Sequence, residues 1–186
     1  MFERFTAAAR AVVGGAVEHA DRTGSDCVGE PELLLALLDQ RDSPAAAALD
    51  RLGAPRPAVV RDLAADRRRG GLSVADTVAL AALGIDVDAV VARVEETHGA
   101  GALAGGGRRA GRGKRVRRTF APEGKAVLGR ALRIAVGRGD RRLGDEHLLL
   151  ALTAGSGPAG VVLAGHGVTY DAVARVLAER SARRAS

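Results

Sequence analysis

Histidine, cysteine and carboxylate residues are the side chains that could do chemistry here, and their spacing indicates no reaction. The four histidines lack the HxxxH or HExxH spacing that binds zinc, and the single cysteine, Cys27, completes no ligand motif with them. Asp145 and Glu146 are adjacent, so they diverge by about 100° around a helix and form no acid–base pair. His147 lies in a predicted first turn, where a structural hydrogen bond is the usual role. We expect no enzyme, no metal site and no catalytic residue.

The sequence also lacks a phosphate-binding loop of the GxxxxGK[ST] type. Gly113-Lys114-Arg115 and Gly124-Lys125-Ala126 have neither the spacing nor the hydroxyl residue of that motif. One cysteine cannot form an internal disulfide, and there is no signal peptide and no apolar run of about 18 residues. We therefore expect a cytoplasmic protein that has no membrane contact, binds no cofactor and does not hydrolyse ATP.

The elements that must position any site come from an internal repeat. Residues 5–38 align with 120–153 at a constant offset of 115, and thirteen of the 34 positions are identical. The 186 residues include 47% apolar residues but only three Phe, one Tyr and no Trp, so the core must be Ala, Leu and Val packed between helices. The fold class is therefore all-α, with two pseudo-symmetric four-helix repeats.

Helical periodicity predicts where the helices lie. The first apolar face starts near Phe5 and ends at Gly24, where a left-handed cap fits. Pro31 and two carboxylates then mark the first turn of a leucine-rich second helix, which we expect to be central. The remaining helices are predicted at about 45–52, 57–66, 73–82, 86–97, 158–165 and 169–182.

An inserted segment separates the repeats. We predict four segments: a first repeat at 1–66, an inserted helical segment at 67–98, a linker at 99–118 and a second repeat at 119–186. The insertion either caps the first repeat or covers a groove. We favour capping because the apolar face of the insertion needs burial. That face consists of Leu80, Leu83, Val87, Val90, Val91 and Val94.

The linker carries seven of the 28 basic residues and no acid, and the rest of the chain then has a net charge of −1. Its glycine content is typical of a flexible, solvated tether, which is our favoured interpretation. The alternative is non-specific electrostatic binding to nucleic acid or to an acidic protein face, although no aromatic residue is present for base stacking. The candidate contacts would be Arg108, Arg109, Arg112, Lys114 and Arg115.

The opening MFERFT, the Gly144-Asp145-Glu146-His147 sequence, the LLLAL runs and the duplicated unit together resemble the amino-terminal domain of Clp-family AAA+ unfoldases, especially ClpC of actinobacteria. The resemblance covers about residues 1–66 and 119–182. It implies a docking domain for substrates and adaptors, and the missing ATPase motif makes the chain look like a free-standing domain.

The resemblance also implies two kinds of site. Phosphoarginine pockets in the family use the Thr after the leading Phe and the Glu of the GTEH motif. Here the first repeat keeps Thr6 but has Pro31, and the second keeps Glu146 but has Ala121, so neither repeat holds a complete pair. Cyclic peptide antibiotics of the cyclomarin type bind ClpC between helix one and the second leading Phe. The matching positions are Phe2, Arg10, Val13, Phe120 and Lys125. The alternative role of Phe120 is that of a core anchor, equivalent by the repeat to Phe5.

Three functions follow as hypotheses. The first is a non-catalytic module that binds Clp protease components, adaptors or client proteins, and so modulates or competes with Clp-dependent proteolysis. The second is a protein that sequesters cyclic peptide antibiotics and protects the unfoldase. The third is a nucleic-acid-associated protein that acts through the basic linker, although we expect no nucleic-acid partner.

Overall fold

The computed structural model describes residues 4–70, 72, 74–99, 102–103 and 118–185, and the described chain is almost entirely helical. The prediction of an all-α fold is confirmed. In the first part of the chain, three shorter helices follow a long helix and a short strand. These elements are α1 (Ala7–Thr23), β1 (Cys27–Val28), α2 (Glu30–Leu38), α3 (Pro44–Arg51) and α4 (Arg56–Arg68). The inserted segment contains α5 (Val74–Ala82) and α6 (Val87–His98). The last part contains β2 (Thr119–Phe120), α7 (Pro122–Gly137), α8 (Asp145–Thr153), α9 (Pro158–Gly165) and α10 (Tyr170–Ala185).

Local signals set the helix ends where the sequence predicted them. The Thr6 hydroxyl accepts a hydrogen bond from the Ala9 amide at 3.1 Å and so caps the start of α1. Gly24 ends that helix with φ 68°, a left-handed conformation that favours glycine. Pro44 and Pro158 occupy the first turns of α3 and α9, where the missing amide proton costs little.

The two leucine-rich helices form the centre of the molecule, as predicted. Leu33, Leu34 and Leu37 on α2 are fully buried, and so are Leu148 to Leu152 on α8. Helix α1 packs on α2 and α7 packs on α8, while α3 packs against α10 and α4 against α9. A single apolar cluster therefore combines residues from both ends of the chain.

The apolar face of the insertion is only partly buried. Val87 and Val91 on α6 are buried and Leu80 and Val94 are half-buried, but Leu83 is 77% exposed and Val90 is 49% exposed. An ion pair between Arg68 and Glu95, at 2.6 Å, links α6 to the end of α4. Two of the six residues of this face are thus exposed, and the capping of the first repeat by the insertion stays a prediction.

No single helix in the described ranges is long and apolar enough to span a membrane, although α8 and α9 meet the length and composition test as a pair with an 88° bend. Most of the basic linker, residues 104–117, lies outside the described residues, and so do the five candidate nucleic-acid contacts. Arg118, at its end, pairs with Asp21 at 2.7 Å.

Candidate functional site

The start of α1 lies against the loop that precedes α8, from the other end of the chain. Phe5 forms a parallel bridge with Leu143. The Thr6 amide donates to the Leu143 carbonyl at 2.9 Å, and the Leu143 amide donates to the Arg4 carbonyl at 2.7 Å. We call this contact the first seam. It holds Thr6 against the loop that leads into α8, whose first turn carries Glu146.

An equivalent contact, the second seam, joins the start of α7 to the loop before α2. Strands β1 and β2 pair in parallel, with Val28 opposite Phe120. The Ala121 amide donates to the Val28 carbonyl at 3.0 Å. Gly124 makes this possible, because a Cβ there would overlap that carbonyl oxygen.

These seams regroup the residues that the resemblance singled out. We grouped Thr6 with Pro31 and Glu146 with Ala121 because each pair belongs to one repeat. In the folded chain, Thr6 is hydrogen-bonded to Leu143, three residues before Glu146, and Ala121 is hydrogen-bonded to Val28, three residues before Pro31. The first seam therefore joins the segments that carry the two retained residues, and the second seam joins those that carry the two replaced ones.

The first seam is rich in hydrogen-bond donors. Helix α1 has no acidic residue in its first turn, so no side-chain charge there offsets the positive end of its dipole. The Arg10 guanidinium donates to the Phe5 carbonyl at 2.8 Å, and that of Arg142 donates to the same oxygen at 3.3 Å. Two cations, one from α1 and one from the loop before α8, thus meet at the carbonyl that precedes Thr6. This combination suits an anionic group.

Glu146 places a carboxylate at the same seam. Its side chain keeps 23% of its surface exposed, and it folds back over Gly144, where a Cβ would overlap the carboxylate. Burial raises the pKa of Glu146, and the neighbouring Asp145 adds to the rise, while the backbone amide of Glu146 opposes it. A cationic group of a ligand would lower the pKa of Glu146 again, and the ionised carboxylate would then bind that group.

Asp145, beside Glu146, has a structural role that the sequence did not reveal, and so does Glu30 at the matching position of the first repeat. Asp145 is fully buried and accepts the Ala45 amide at the start of α3, at 3.3 Å. Glu30, at the matching position of α2, is buried beside the start of α9, where the Ala159 amide lowers its pKa against the effect of burial. Each central helix therefore places a carboxylate at the start of a helix in the other part of the chain. Only the offset of 115 between the two positions hinted at a shared role.

His147 has the structural role that we predicted. Its Nδ1 accepts the Gly144 amide at 2.9 Å, so the neutral ring carries its proton on Nε2. That nitrogen lies 2.9 Å from Asp140 Oδ2, and the side chain is only 1% exposed. Both ring nitrogens are engaged, which leaves none to act as a base at the first seam.

The residues predicted for cyclic peptides lie on separate elements. Arg10 is exposed and Val13 is buried on α1, while Phe120 is partly buried against the core and Lys125 is exposed on α7. Helix α1 packs on α2, β1 and α8, and α7 packs on α8, α2 and β2. Phe2 lies outside the described residues. Phe5 and Phe120 both pack on the core, as the core-anchor alternative expects.

In the described part of the chain, no group of three or more His, Cys, Asp or Glu side chains is arranged to hold a metal ion. Cys27 is free, and burial together with nearby carboxylates, Glu123 first among them, raises the pKa of its thiol. A thiol with a raised pKa is a weaker nucleophile at neutral pH.

Comparison with known proteins agrees with this architecture. Residues 4–76 match the family model described as the Clp repeat (R) N-terminal domain. A structure from work on a malarial protein secretion system is 12% identical, with 95% of this chain and 94% of that chain covered and a TM-score of 0.62. The N-terminal domain of the caseinolytic protease associated chaperone ClpD from Arabidopsis thaliana is 20% identical, with 97% and 96% covered and a TM-score of 0.53. Residues 4–76 are therefore similar to the Clp repeat N-terminal domain, and the described chain shares its fold with the N-terminal domain of ClpD.

Proposed function

We propose that this chain is a non-catalytic docking module of the cytosol that binds peptide segments of client or adaptor proteins, and so modulates or competes with Clp-dependent proteolysis. The observation that supports it most is the first seam, where Thr6 is hydrogen-bonded to Leu143, three residues before Glu146, so that segments from opposite ends of the chain lie together. A partner that contacts both must span the seam.

The first seam suits a ligand with an anionic end and a cationic end. The anion would meet the Thr6 hydroxyl, the first amides of α1 and the cations Arg10 and Arg142. The cation would meet the Glu146 carboxylate. Phosphoarginine, the ligand that the family resemblance implies, has both groups, with a phosphoryl on its guanidinium. Each charge-assisted contact contributes about 1.5–3 kcal/mol.

The side chains of this site favour binding over reaction. The Thr6 oxygen already accepts the Ala9 amide, and His147 uses both ring nitrogens in structural hydrogen bonds. Among the described residues, no base is found to accept a hydrogen bond from the Thr6 hydroxyl. We infer that a bound peptide leaves chemically unchanged.

The second seam lacks the corresponding groups. Ala121 has no hydroxyl, and Pro31 has no carboxylate and no amide proton. Glu123, in the first turn of α7, adds negative charge where an anion would dock. We therefore propose one phosphoarginine site per chain.

The test is fluorescence anisotropy with a labelled phosphoarginine peptide and its arginine counterpart. We expect Glu146→Gln to weaken binding of the phosphorylated peptide by about 10–100-fold through loss of one charged contact. Thr6→Ala should weaken it as well, whereas Thr6→Ser should retain it. Glu18→Gln removes the same charge at an exposed position of α1 and serves as the control. Equal affinity of the wild type and Glu146→Gln would refute the assignment.

Two further proposals have their own tests. Sequestration of a cyclomarin-type peptide draws support from the exposure of Arg10 and Lys125, and it requires that Lys125→Ala lower the affinity for such a peptide. Nucleic-acid binding through the linker requires a steep salt dependence that disappears when residues 105–118 are deleted. Neither effect should respond to Glu146→Gln.

A further inference from the structure

A depression of the surface lies beside the second seam, away from Thr6 and Glu146. It has a volume of about 250 Å³ and is lined by residues from β1, α2, α4 and the start of α7. This is below the usual size of a drug-sized pocket but is enough for one extended side chain. We call it the acidic pocket, after the carboxylates of Glu32, Asp66 and Glu123 in its wall.

Asp66 is the unusual residue of the acidic pocket. It is only 7% exposed, and no hydrogen bond or ion pair is found for its carboxylate within the described ranges. Burial raises the pKa of Asp66, and the charge of Arg69, one turn further along α4, opposes that rise. A buried carboxylate normally has a hydrogen-bonded partner, because desolvation of an unpaired charge is costly.

The other charged groups of the pocket do not supply that partner. Arg67 donates to Glu32 at 2.9 Å, and the second oxygen of Glu32 accepts the Gly29 amide at 2.8 Å. The charge of Arg67 is thus matched by Glu32. Glu123 is exposed at the pocket edge and contributes a further negative charge. The pocket therefore has net negative character with one buried carboxylate that is open to a ligand.

We propose that the acidic pocket binds the unphosphorylated cationic side chain of an arginine or lysine residue in a peptide. A guanidinium would pair with Asp66 in the interior and with Glu123 at the edge, and so supply the missing partner. Pro31 and Leu103 would pack against its aliphatic stem. A phosphoryl group would be repelled by the same carboxylates. The two seams therefore distinguish modified from unmodified basic residues.

The test uses acetyl-Ala-Arg-Ala-amide and the same peptide with citrulline, which keeps the shape of arginine but not its charge. In an NMR titration of the 15N-labelled full chain, we expect the arginine peptide to shift the amides of Gly29 and Gly70, which line the pocket. The citrulline peptide should bind at least about tenfold more weakly, because it lacks the charge-assisted pair.

Variants separate this site from the first seam. Asp66→Asn is isosteric and removes an unpaired buried charge, so the protein should remain folded. The same substitution should weaken arginine binding at least about tenfold. Glu123→Gln, at the exposed edge, is the second variant and should weaken it less. Glu18→Gln should have no effect. Glu146→Gln should leave arginine binding intact, and Asp66→Asn should leave phosphoarginine binding intact, so each proposal fails separately.

Three results would overturn the inference: equal binding of the arginine and citrulline peptides, unchanged affinity in folded Asp66→Asn, or shifts confined to amides away from the pocket. Magnesium ions alone provide a further control. If they shift the Gly29 and Gly70 amides and abolish peptide binding at stoichiometric concentration, the pocket is a metal site instead.

Discussion

The second seam makes a sharp prediction about two glycines of the same helix, Gly124 and Gly129. A Cβ at Gly124 would overlap the Val28 carbonyl oxygen, which belongs to β1 and cannot rotate away as a side chain could. At Gly129 the nearest atom to an added Cβ is the Arg133 Nη1 at 3.7 Å, an ordinary contact at the end of a flexible side chain. The two alanine substitutions should therefore have opposite effects on stability.

The size of the Gly124→Ala effect follows from three contributions to the free energy of unfolding. Overpacking costs about 1–3 kcal/mol. Displacement of Val28 also breaks the 3.0 Å hydrogen bond that its carbonyl accepts from the Ala121 amide. Both residues are buried, so this loss costs about 1–3 kcal/mol. The higher helix propensity of alanine offsets about 1 kcal/mol. We expect a net loss of about 3 kcal/mol. Gly129→Ala has only the last contribution and should gain about 1 kcal/mol.

The assay is urea denaturation followed by far-ultraviolet circular dichroism. The urea midpoint of each variant is compared with that of the wild type, provided that the m-value is unchanged. The midpoint should fall for Gly124→Ala and rise for Gly129→Ala. If Gly124→Ala is as stable as the wild type, the close approach of α7 to β1 is incorrect, and so is the second seam.

Three further predictions concern single residues. Burial raises the pKa of Glu30, and the native state therefore holds a proton more tightly than the unfolded chain, whose Glu pKa is about 4.3. The free energy of unfolding should thus increase as pH falls from 7 towards 5, and Glu30→Gln should flatten this slope. Asp145→Ala removes the acceptor for the Ala45 amide and should lower stability by about 1–2 kcal/mol in thermal unfolding. Leu83→Asp, at a position 77% exposed, should change stability by less than about 0.5 kcal/mol, whereas Val91→Asp should increase hydrogen exchange across α5 and α6.

Each of these three has its own contradicting outcome. An unchanged pH slope in Glu30→Gln would show that this carboxyl is not the group that burial perturbs. If Asp145→Ala is as stable as the wild type, the Asp145 carboxylate does not stabilise the start of α3. A large loss in Leu83→Asp would mean that the insertion is covered in solution, as the capping interpretation expected.

Most of the helices could be predicted because their signals are local. The apolar periodicity, the prolines of the first turns and Gly24 depend on neighbours in sequence, and the helix bounds fall within a few residues of the predicted ones. The exposure of Leu83 could not be predicted in this way. An apolar stripe shows that a helix would gain from burial, but it does not show that a partner is within reach.

The site was harder to predict than the fold. Thr6 and Glu146 were identified one at a time, through a resemblance, and grouped by repeat. Their actual neighbourhood depends on hydrogen bonds at Leu143, in a one-residue pairing that leaves no periodic signal in the sequence. Asp66 was missed because nothing in its sequence context indicates that a carboxylate on α4 is buried.

The most direct test of the central claim is an NMR titration of the 15N-labelled chain with a phosphoarginine peptide. If one docking site is built from both ends of the chain, the amides of Thr6 and Ala7 and those of Gly144 and Glu146 should shift together with a single Kd. Glu146→Gln should weaken the response at both ends equally. Shifts confined to one end, or two different Kd values, would contradict a shared site at the first seam.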